Sequence, residues 1–198
     1  MQPDKISQNF NKATQDYEHY SGVQYQSAQA LIDAYLKTYP DFRITSILDI
    51  GCGTGYIPQL LLKHYPNTTY YLNDIADNML SYCQKKFKNP AFKYLKGNMD
   101  HMDFPEVDLI TSHFSLQWSK DLFPMIDHIY LRCKKMAITC LIDGTFAEWH
   151  QLLQSPSLIS YPSASSIRSR LLTLDPNAKV FIKSYTLDFA HPRAFLNY

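Results

Sequence analysis

Hydrophobic positions along the chain follow two different spacings. Between Val23 and Lys37, apolar residues recur every three or four positions, which predicts an amphipathic helix that ends before Pro40. Residues 6–20 carry aromatic and small residues at similar spacing and are also predicted as helical. Ser46–Ile50 is instead a short apolar run, typical of a strand that is buried on both faces. The chain is therefore predicted to open with helices and to continue into a buried strand.

Strands and helices continue to alternate as far as residue 142. Strands are predicted at 46–50, 68–73, 92–95, 107–112 and 136–142, and helices at 56–64, 79–87 (capped by Asp77) and 122–131. Strands separated by helices of this length predict a doubly wound α/β fold with helices on both faces of a mostly parallel sheet. Residues 154–166 are rich in Ser and Pro and are predicted as a loop, whereas 180–189 are predicted as a late strand.

Composition excludes several classes of protein. The 198 residues suit one domain, and 19 basic against 18 acidic side chains give a net charge of +1, which argues against a dedicated nucleic-acid binder. No apolar run approaches the roughly 20 residues that span a bilayer, and no secretory signal is visible at the start. We therefore expect one cytoplasmic domain with neither a membrane nor a nucleic-acid partner.

The cysteines and histidines give no indication of a metal site. The four cysteines (Cys52, Cys83, Cys133 and Cys140) contain no Cys-x-x-Cys pair, and the seven histidines are dispersed. Reduced thiols in a cytosolic protein are the expected state, since no disulfide framework is apparent.

Glycine usage gives the first indication of a ligand site. The chain has only 6 glycines, where roughly 14 would be expected at average usage. Three of them, Gly51, Gly53 and Gly55, directly follow the first predicted strand. A backbone without side chains can turn tightly into the next helix and approach a ligand closely. The Gly-x-Gly-x-Gly spacing differs from the Gly-x-Gly-x-x-Gly of dinucleotide binders.

Two carboxylates accompany this loop. Asp74 closes the second predicted strand, 19 residues after Gly55, where it can accept hydrogen bonds from both ribose hydroxyls. Asp49 directly precedes the loop and can pair with an ammonium group or orient the loop backbone. A ligand with an adenosine end and an amino-acid end fits this set better than a pyrophosphate, which indicates S-adenosylmethionine. Each signal alone is also compatible with a packing turn or a solvated strand end.

Three segments contain the loop and its neighbouring strand ends: Ile47–Gly55, Asn73–Leu80 and Gly97–Asp100. They resemble successive motifs of class I S-adenosylmethionine-dependent methyltransferases, which have a Rossmann-like fold. The resemblance assigns the three glycines to the methionine end of the cofactor and Asp74 to the ribose. The remaining cofactor-binding residues that it implies, mostly around the adenine, are Ile75, Met79, Asn98 and Met99. Members often carry Asp where Asn98 stands, and the amide carbonyl can still accept from the adenine amino group.

Four further segments are similar to malonyl-[acyl-carrier protein] O-methyltransferases, the BioC family of biotin synthesis: Phe10–Tyr17, Gln24–Leu31, Ser112–Trp118 and Gly144–Gln151. This resemblance implies methyl transfer to the free carboxyl of a malonyl thioester, carried by acyl carrier protein or coenzyme A. Tyr17, on a helical lid, and His113, after the fourth strand, are the candidate catalytic hydrogen-bond donors. Each could equally be a packing residue.

An acidic carrier protein is expected to dock on basic side chains, and Arg168 and Arg170 are the favoured pair because they follow the fifth strand. Ordinary solvated helix charges are the alternative. We expect one domain, with N-terminal lid helices (1–40), a cofactor-binding core (44–142) and a substrate-cap and late-strand region (143–198). The end at Tyr198 is early for the family, so a shortened cofactor-binding protein without turnover is one alternative. A methyltransferase for another small acid, which would share the cofactor motifs, is the other.

Overall fold

A computed structural model describes residues 22–154 and 160–187, without the side chain of Leu153. The strands are β1 Ser46–Ile50, β2 Thr69–Asp74, β3 Phe92–Lys96, β4 Val107–His113 and β5 Cys133–Thr139. The helices are α1 Gly22–Thr38, α2 Tyr56–Leu62, α3 Asp77–Lys86, α4 Leu122–Tyr130, α5 Ala147–Leu153 and α6 Ala164–Leu174. Short 3-10 turns lie at Met99–His101 and Leu116–Trp118.

The five strands form one parallel sheet in the order β3-β2-β1-β4-β5. The prediction of a doubly wound α/β fold is therefore confirmed. Because β1 lies at the centre and pairs with both β2 and β4, the strand order reverses at β1. In open α/β sheets, ligands bind beyond the carboxyl ends of the strands at such a reversal. The fold thus places the glycine loop, which follows β1, at the expected ligand position.

The sheet separates two hydrophobic cores. Ile47 packs on one face with Ala28 and Ile32 of α1, whereas Leu48 packs on the other with residues of α4. Successive side chains of a strand point to opposite faces, so Asp49 shares the face of Ile47, which α1 covers. The alternation along β1 therefore directs the carboxylate that precedes the glycine loop towards the first helix.

Two elements, β5 and α3, begin differently from their sequence predictions. β5 begins at Cys133, three residues earlier than predicted, although Lys134 and Lys135 follow it. These lysines fit in a strand because Lys134 pairs with Asp108 at 2.7 Å and Lys135 lies 4.3 Å from the ring centroid of Tyr39. Asp77 is the first residue of α3 and not its cap, and its carboxylate pairs with Lys96 instead.

The region after β5 also departs from prediction. The helix α5 was not predicted, and α6 begins inside the segment predicted as a loop, because the Ser163 hydroxyl accepts from the Ser166 backbone and caps the helix. Residues 180–187 form no strand, although their apolar residues suggested one. Phe181 is 68% exposed there, so the segment has an apolar pattern without a strand to pair with. Residues 188 and 189 of that prediction lie outside the described part.

Among residues 22–154 and 160–187, no helix is both long enough and apolar enough to cross a bilayer. The four cysteines are free thiols.

The buried carboxylate of Asp108 joins the start of β1 to β4 and β5. One oxygen accepts from the backbone and the hydroxyl of Thr45, each at 2.7 Å, and the other pairs with Lys134. Burial raises the pKa of Asp108, but the hydrogen bonds from Lys134 and Thr45 outweigh burial and hold the pKa well below its usual range. The ionised carboxylate therefore stabilises the folded state.

Asp108→Asn is expected to lower the free energy of unfolding by about 2 kcal/mol at neutral pH, because it removes hydrogen bonds to a charged group. A pKa that is depressed on folding gives stability that is present above the ordinary carboxyl pKa and lost as the pH falls below it. The difference between the two proteins should therefore shrink below about pH 4. Urea unfolding at neutral and acidic pH measures this difference in the free energy of unfolding.

Asp103→Asn is the matched control, since Asp103 also pairs with a basic residue, Arg132, but its side chain is 88% exposed. This change should alter stability by less than about 0.5 kcal/mol. Equal effects of the two substitutions would contradict the role given to Asp108.

Candidate active site

The carboxyl end of β1 opens onto a cavity. Nine residues line it: Gln24, Asp49, Gly51, Cys52, Gly53, Thr54, Tyr56, Ile57 and His113. They come from α1, the end of β1, the loop and helix that follow it, and the end of β4. Four residues that the sequence predicted for the site therefore lie around one cavity: Asp49, Gly51, Gly53 and His113.

Glycine is required at the three loop positions for different reasons. All three have positive φ angles, of 67° for Gly51, 52° for Gly53 and 80° for Gly55. A Cβ atom on Gly51 would collide with Ser115, and one on Gly55 would lie 2.6 Å from the Phe87 ring. A Cβ atom on Gly53 would meet nothing within 4 Å. Gly51 and Gly55 are therefore required by packing, whereas Gly53 faces the space that a ligand can enter.

Asp74 holds this loop from the end of β2. Its carboxylate accepts from the backbone N–H of Gly53 at 2.9 Å and of Ala76 at 2.8 Å. Burial raises the pKa of Asp74, and these backbone hydrogen bonds act in the opposite direction. A carboxylate has about four acceptor positions, so the predicted contact with ribose hydroxyls is compatible with both bonds. Asp74 thus orients the loop in addition to its predicted role.

Helix α3 satisfies the carbonyl groups of the same loop. The Cys83 thiol donates to the carbonyl of Gly53 at 3.3 Å, and the Lys86 ammonium donates to that of Thr54 at 3.0 Å. Cys52 also donates to the Gly53 carbonyl, and its contact with the Cys83 thiol together with burial raises its pKa. The loop is therefore fixed from both β2 and α3.

Asp49 is the acidic group inside the cavity. The side chain is 2% exposed and accepts a hydrogen bond of 2.7 Å from the Thr111 hydroxyl. Burial raises the pKa of Asp49 to about 7, against the lowering effect of Thr111, while the nearby Asp74 raises it further. A cation in the cavity would favour the ionised form of such a carboxyl. This environment suits the predicted pairing with an ammonium group.

His113 is the last residue of β4 and lies edge-on to Phe114, with 4.3 Å between the ring centroids. Burial lowers the pKa of His113 to about 4, so the imidazole is neutral at neutral pH. Within residues 22–154 and 160–187, its buried Nε2 atom has no hydrogen-bond partner, and neither has the buried Thr54 hydroxyl in the same cavity. Buried polar atoms are usually paired, so two unpaired ones beside the cavity fit the polar groups of a bound ligand.

The residues predicted on the adenine side are placed differently. Asn98 caps the 3-10 turn after β3, and its carbonyl oxygen accepts from the backbone N–H of Asp100 at 3.1 Å. Ile75 and Met99 are half-buried, and Met79 is only 1% exposed. None of these four is among the described residues that line the cavity. Their contacts with the cofactor remain predictions.

Of the two predicted docking residues, one has an exposed side chain and the other is already held in an ion pair. Arg170 forms a two-pronged ion pair with Asp127, which ties α6 to α4. Arg168 is exposed on the same helix. Tyr17, the other predicted catalytic residue, lies outside the described residues.

Sequence reasoning did not single out five of the lining residues: Gln24, Cys52, Thr54, Tyr56 and Ile57. Cys52 and Thr54 stand between the loop glycines, so the motif itself could have indicated them. Gln24 belongs to α1, far from the loop in sequence, and only the packing of α1 beside α2 brings it to the cavity.

Comparison with known proteins defines the class. Residues 47–135 match the family model described as a methyltransferase domain. The fold is similar to the plantazolicin methyltransferase BpumL, solved with a pentazolic desmethylPZN analog and SAH, with a TM-score of 0.63 and 15% identity over 84% of this chain and 69% of that one. It is also similar to a chain from the complex of the Haloferax volcanii Trm112 methyltransferase activator and a methyltransferase (TM-score 0.64, 15% identity, 83% and 75% coverage). The chain therefore contains a methyltransferase domain over residues 47–135 and has the fold of the class I S-adenosylmethionine-dependent methyltransferases.

Similarity in sequence points to a narrower group. A malonyl-[acyl-carrier protein] O-methyltransferase of Neorickettsia risticii is 29% identical, over 98% of this chain and 80% of that protein. The enzyme of the same name from Priestia megaterium is 30% identical over 73% of this chain, and this chain covers 54% of it. The biotin biosynthesis bifunctional protein BioCD of Bordetella avium is 31% identical, and this chain covers 41% of it. The chain thus spans most of the first relative and about half or less of the other two.

Gly53→Ala is expected to weaken mainly ligand binding, and Gly55→Ala mainly thermal stability. Both add about 1 kcal/mol of backbone strain, because both glycines have positive φ. The methyl group at position 53 enters the open cavity, so binding of S-adenosylhomocysteine should weaken by more than about tenfold. The methyl group at position 55 meets Phe87, so this variant should lose mainly thermal stability.

Calorimetric titration and thermal unfolding of both variants measure the two effects. Gly22→Ala is the control, because no atom of the described residues lies within 4 Å of the added methyl group and Gly22, the first residue of α1, is not among the described residues that line the cavity. Normal ligand affinity in Gly53→Ala would show that the ligand does not approach the loop there.

Proposed function

We propose that this methyltransferase acts on the free carboxyl group of a malonyl thioester, carried by an acyl carrier protein or by coenzyme A. The observation that carries the proposal is the similarity to the Neorickettsia risticii relative over 98% of this chain. This similarity extends well beyond residues 47–135, which match the general methyltransferase domain. The segments outside that core are those in which acceptor specificity would reside.

Methyl transfer to a carboxyl acceptor requires few catalytic groups from the protein. A carboxyl group with an ordinary pKa near 4 is ionised at neutral pH, so no general base is required. S-adenosylmethionine, when bound, supplies a methyl group activated by its positively charged sulfur. The residues of this chain then have to align the acceptor oxygen, donate hydrogen bonds to it and exclude water.

His113 meets the requirement for a donor in the cavity. Its unpaired, buried Nε2 lies in the same cavity as Asp49 and Gly53. Burial lowers the pKa of His113 to about 4, against the raising effect of a hydrogen bond to its own backbone, so the ring is neutral at working pH and has a single N–H. It donates to the acceptor carboxylate in the tautomer that carries this proton on Nε2. Tyr17 is proposed as a second donor, from the helices that precede α1.

The carrier protein is proposed to approach α6. Acidic carriers favour exposed basic side chains, but several basic residues of the described chain are already paired: Arg132 with Asp103, Lys134 with Asp108 and Arg170 with Asp127. Arg168 remains exposed on α6. The proposed docking contact is therefore reduced from the pair Arg168 and Arg170 to Arg168.

Incubation with cofactor labelled on its methyl group tests the function directly. Label should pass to malonyl carrier protein or malonyl coenzyme A and should be released by mild ester hydrolysis. Acetyl thioesters, which lack the free carboxyl, are the control acceptors. Transfer only to another small acid would replace the proposed substrate, and cofactor binding without transfer to any acid would indicate a binding protein.

His113→Leu should lower kcat/KM by about tenfold or more, because the acceptor carboxylate loses a hydrogen bond from a buried donor. His113→Asn keeps an N–H donor and should retain most of the activity. Binding of S-adenosylhomocysteine, measured by calorimetry, should be nearly the same in both. Equal activity of the Leu and Asn variants would remove His113 from the acceptor site.

Arg168→Glu should raise KM for malonyl carrier protein by about fivefold, because a reversed charge at the edge of an interface repels the acidic protein partner. KM for malonyl coenzyme A should rise less, since that acceptor lacks the carrier's protein surface. Lys85→Glu is the control, since Lys85 is exposed on α3. Steady-state kinetics with both acceptors measures the difference. An equal effect of the two substitutions would argue against docking at α6.

A further inference from the structure

Three buried hydroxyl groups at the carboxyl end of β4 contact the end of β1. Ser112 and Ser115 both donate to the backbone carbonyl of Ile50, at 3.0 and 2.7 Å. Thr111 differs from them: its hydroxyl lies 3.4 Å from the backbone carbonyl of Leu48, but its shorter hydrogen bond, of 2.7 Å, is donated to a side chain, the carboxylate of Asp49. The two serines therefore support the backbone before the glycine loop, whereas Thr111 acts on the acidic group of the cavity.

The sheet itself fixes the contact between Thr111 and Asp49. The two residues are direct partners in the parallel register of β1 and β4, so their side chains lie side by side on one face. Both are buried, Thr111 completely. Among the described residues, Thr111 is the only hydrogen-bond donor to the Asp49 carboxylate. The orientation of that carboxylate thus depends on one hydroxyl group held between two central strands.

A threonine hydroxyl in this position has two consequences for a carboxylate. It engages one oxygen and leaves the other for a ligand in the cavity, and it favours the ionised form, which burial disfavours. We propose that Thr111 is a positioning residue for the cofactor, which acts through Asp49 to hold an ionised carboxylate towards the amino group of the bound methionine end. The proposal rests on the predicted pairing of Asp49 with that ammonium group, and it is independent of the acceptor.

The charged and titratable groups around Asp49 determine how its protonation can be detected. Burial raises the pKa of Asp49 to about 7, and the hydrogen bond from Thr111 lowers it. Cys52 has a raised pKa and His113 a pKa lowered to about 4, so neither changes charge near neutral pH. Asp74, at the end of β2, has a raised pKa and raises that of Asp49. Because Asp74 is predicted to contact the ribose, a comparison of ligands with and without the amino-acid end separates the two carboxyl groups.

The experiment compares S-adenosylhomocysteine with 5′-methylthioadenosine, which has the same adenosine and sulfur but no amino-acid end. In Thr111→Val, the affinity for S-adenosylhomocysteine should fall by about tenfold at neutral pH, and that for 5′-methylthioadenosine by less than about twofold. In the unsubstituted protein, the ratio of the two affinities should decrease as the pH falls through about 7, because Asp49 becomes protonated. In Thr111→Val, the midpoint of this decrease should move to higher pH.

Matched variants separate positioning from structural damage. Thr111→Ser keeps the hydroxyl and should restore both the affinity ratio and the midpoint. Ser112→Ala removes the neighbouring buried hydroxyl, which contacts backbone and not Asp49, so any loss should be shared by both ligands. Thr111→Ala also lacks the hydroxyl, and it needs no space for a new methyl group. It is therefore measured alongside Thr111→Val, and circular dichroism is used to confirm folding.

Equal weakening of the two ligands in the Val and Ala variants, or no weakening, would overturn the role of Thr111. Asp49→Asn tests the premise, and it should weaken S-adenosylhomocysteine selectively. Selective loss in Asp49→Asn without selective loss at position 111 would refute the proposal for Thr111 alone. No selective loss in either would refute the pairing of Asp49 with the ammonium group. These binding measurements contain no methyl acceptor, so their outcomes do not depend on whether malonyl transfer is observed.

Discussion

The hydrogen bonds that hold the glycine loop at the end of β1 are the constraint on which the site depends. Asp74 accepts from Gly53, and Cys83 and Lys86 donate to the loop carbonyls. These contacts keep the backbone in left-handed conformations that only glycine adopts without strain. The loop is thus preorganised by two elements, β2 and α3, and its open side at Gly53 is where a ligand can approach.

The cavity concentrates buried acid next to buried neutral groups. Asp49 and Asp74 each have a pKa raised first by burial, and Asp74 contributes to the raised pKa of Asp49. A ligand that carries positive charge in the cavity relieves the cost of ionising Asp49, which lines it. The cofactor of this class has an ammonium group and a positively charged sulfur, so its charge complements the site. His113 stays neutral beside it, because burial lowers its pKa to about 4.

Much of the fold was predictable because its signals are local. The first strand, Ser46–Ile50, was predicted with its observed ends, since a short apolar run ends there at a glycine cluster. β5 was predicted three residues late because Lys134 and Lys135 mask its start, and their partners Asp108 and Tyr39 are distant in sequence. The strand expected at 180–189 failed over 180–187, where an apolar pattern found no neighbouring strand. Pairing is a property of the sheet and not of the segment.

The sequence by itself determined the class of the protein, since the glycine spacing and the acids after β1 and β2 are local consequences of how a backbone turns around a cofactor. It also indicated His113, because that residue follows a predicted strand. Only the tertiary structure decided what these residues contact. The register of β1 and β4 joins Thr111 to Asp49, the packing of α6 on α4 engages Arg170, and the burial of the β4 end leaves His113 neutral and unpaired. Such contacts join residues that are tens of positions apart, and only the folded chain brings them within hydrogen-bond distance.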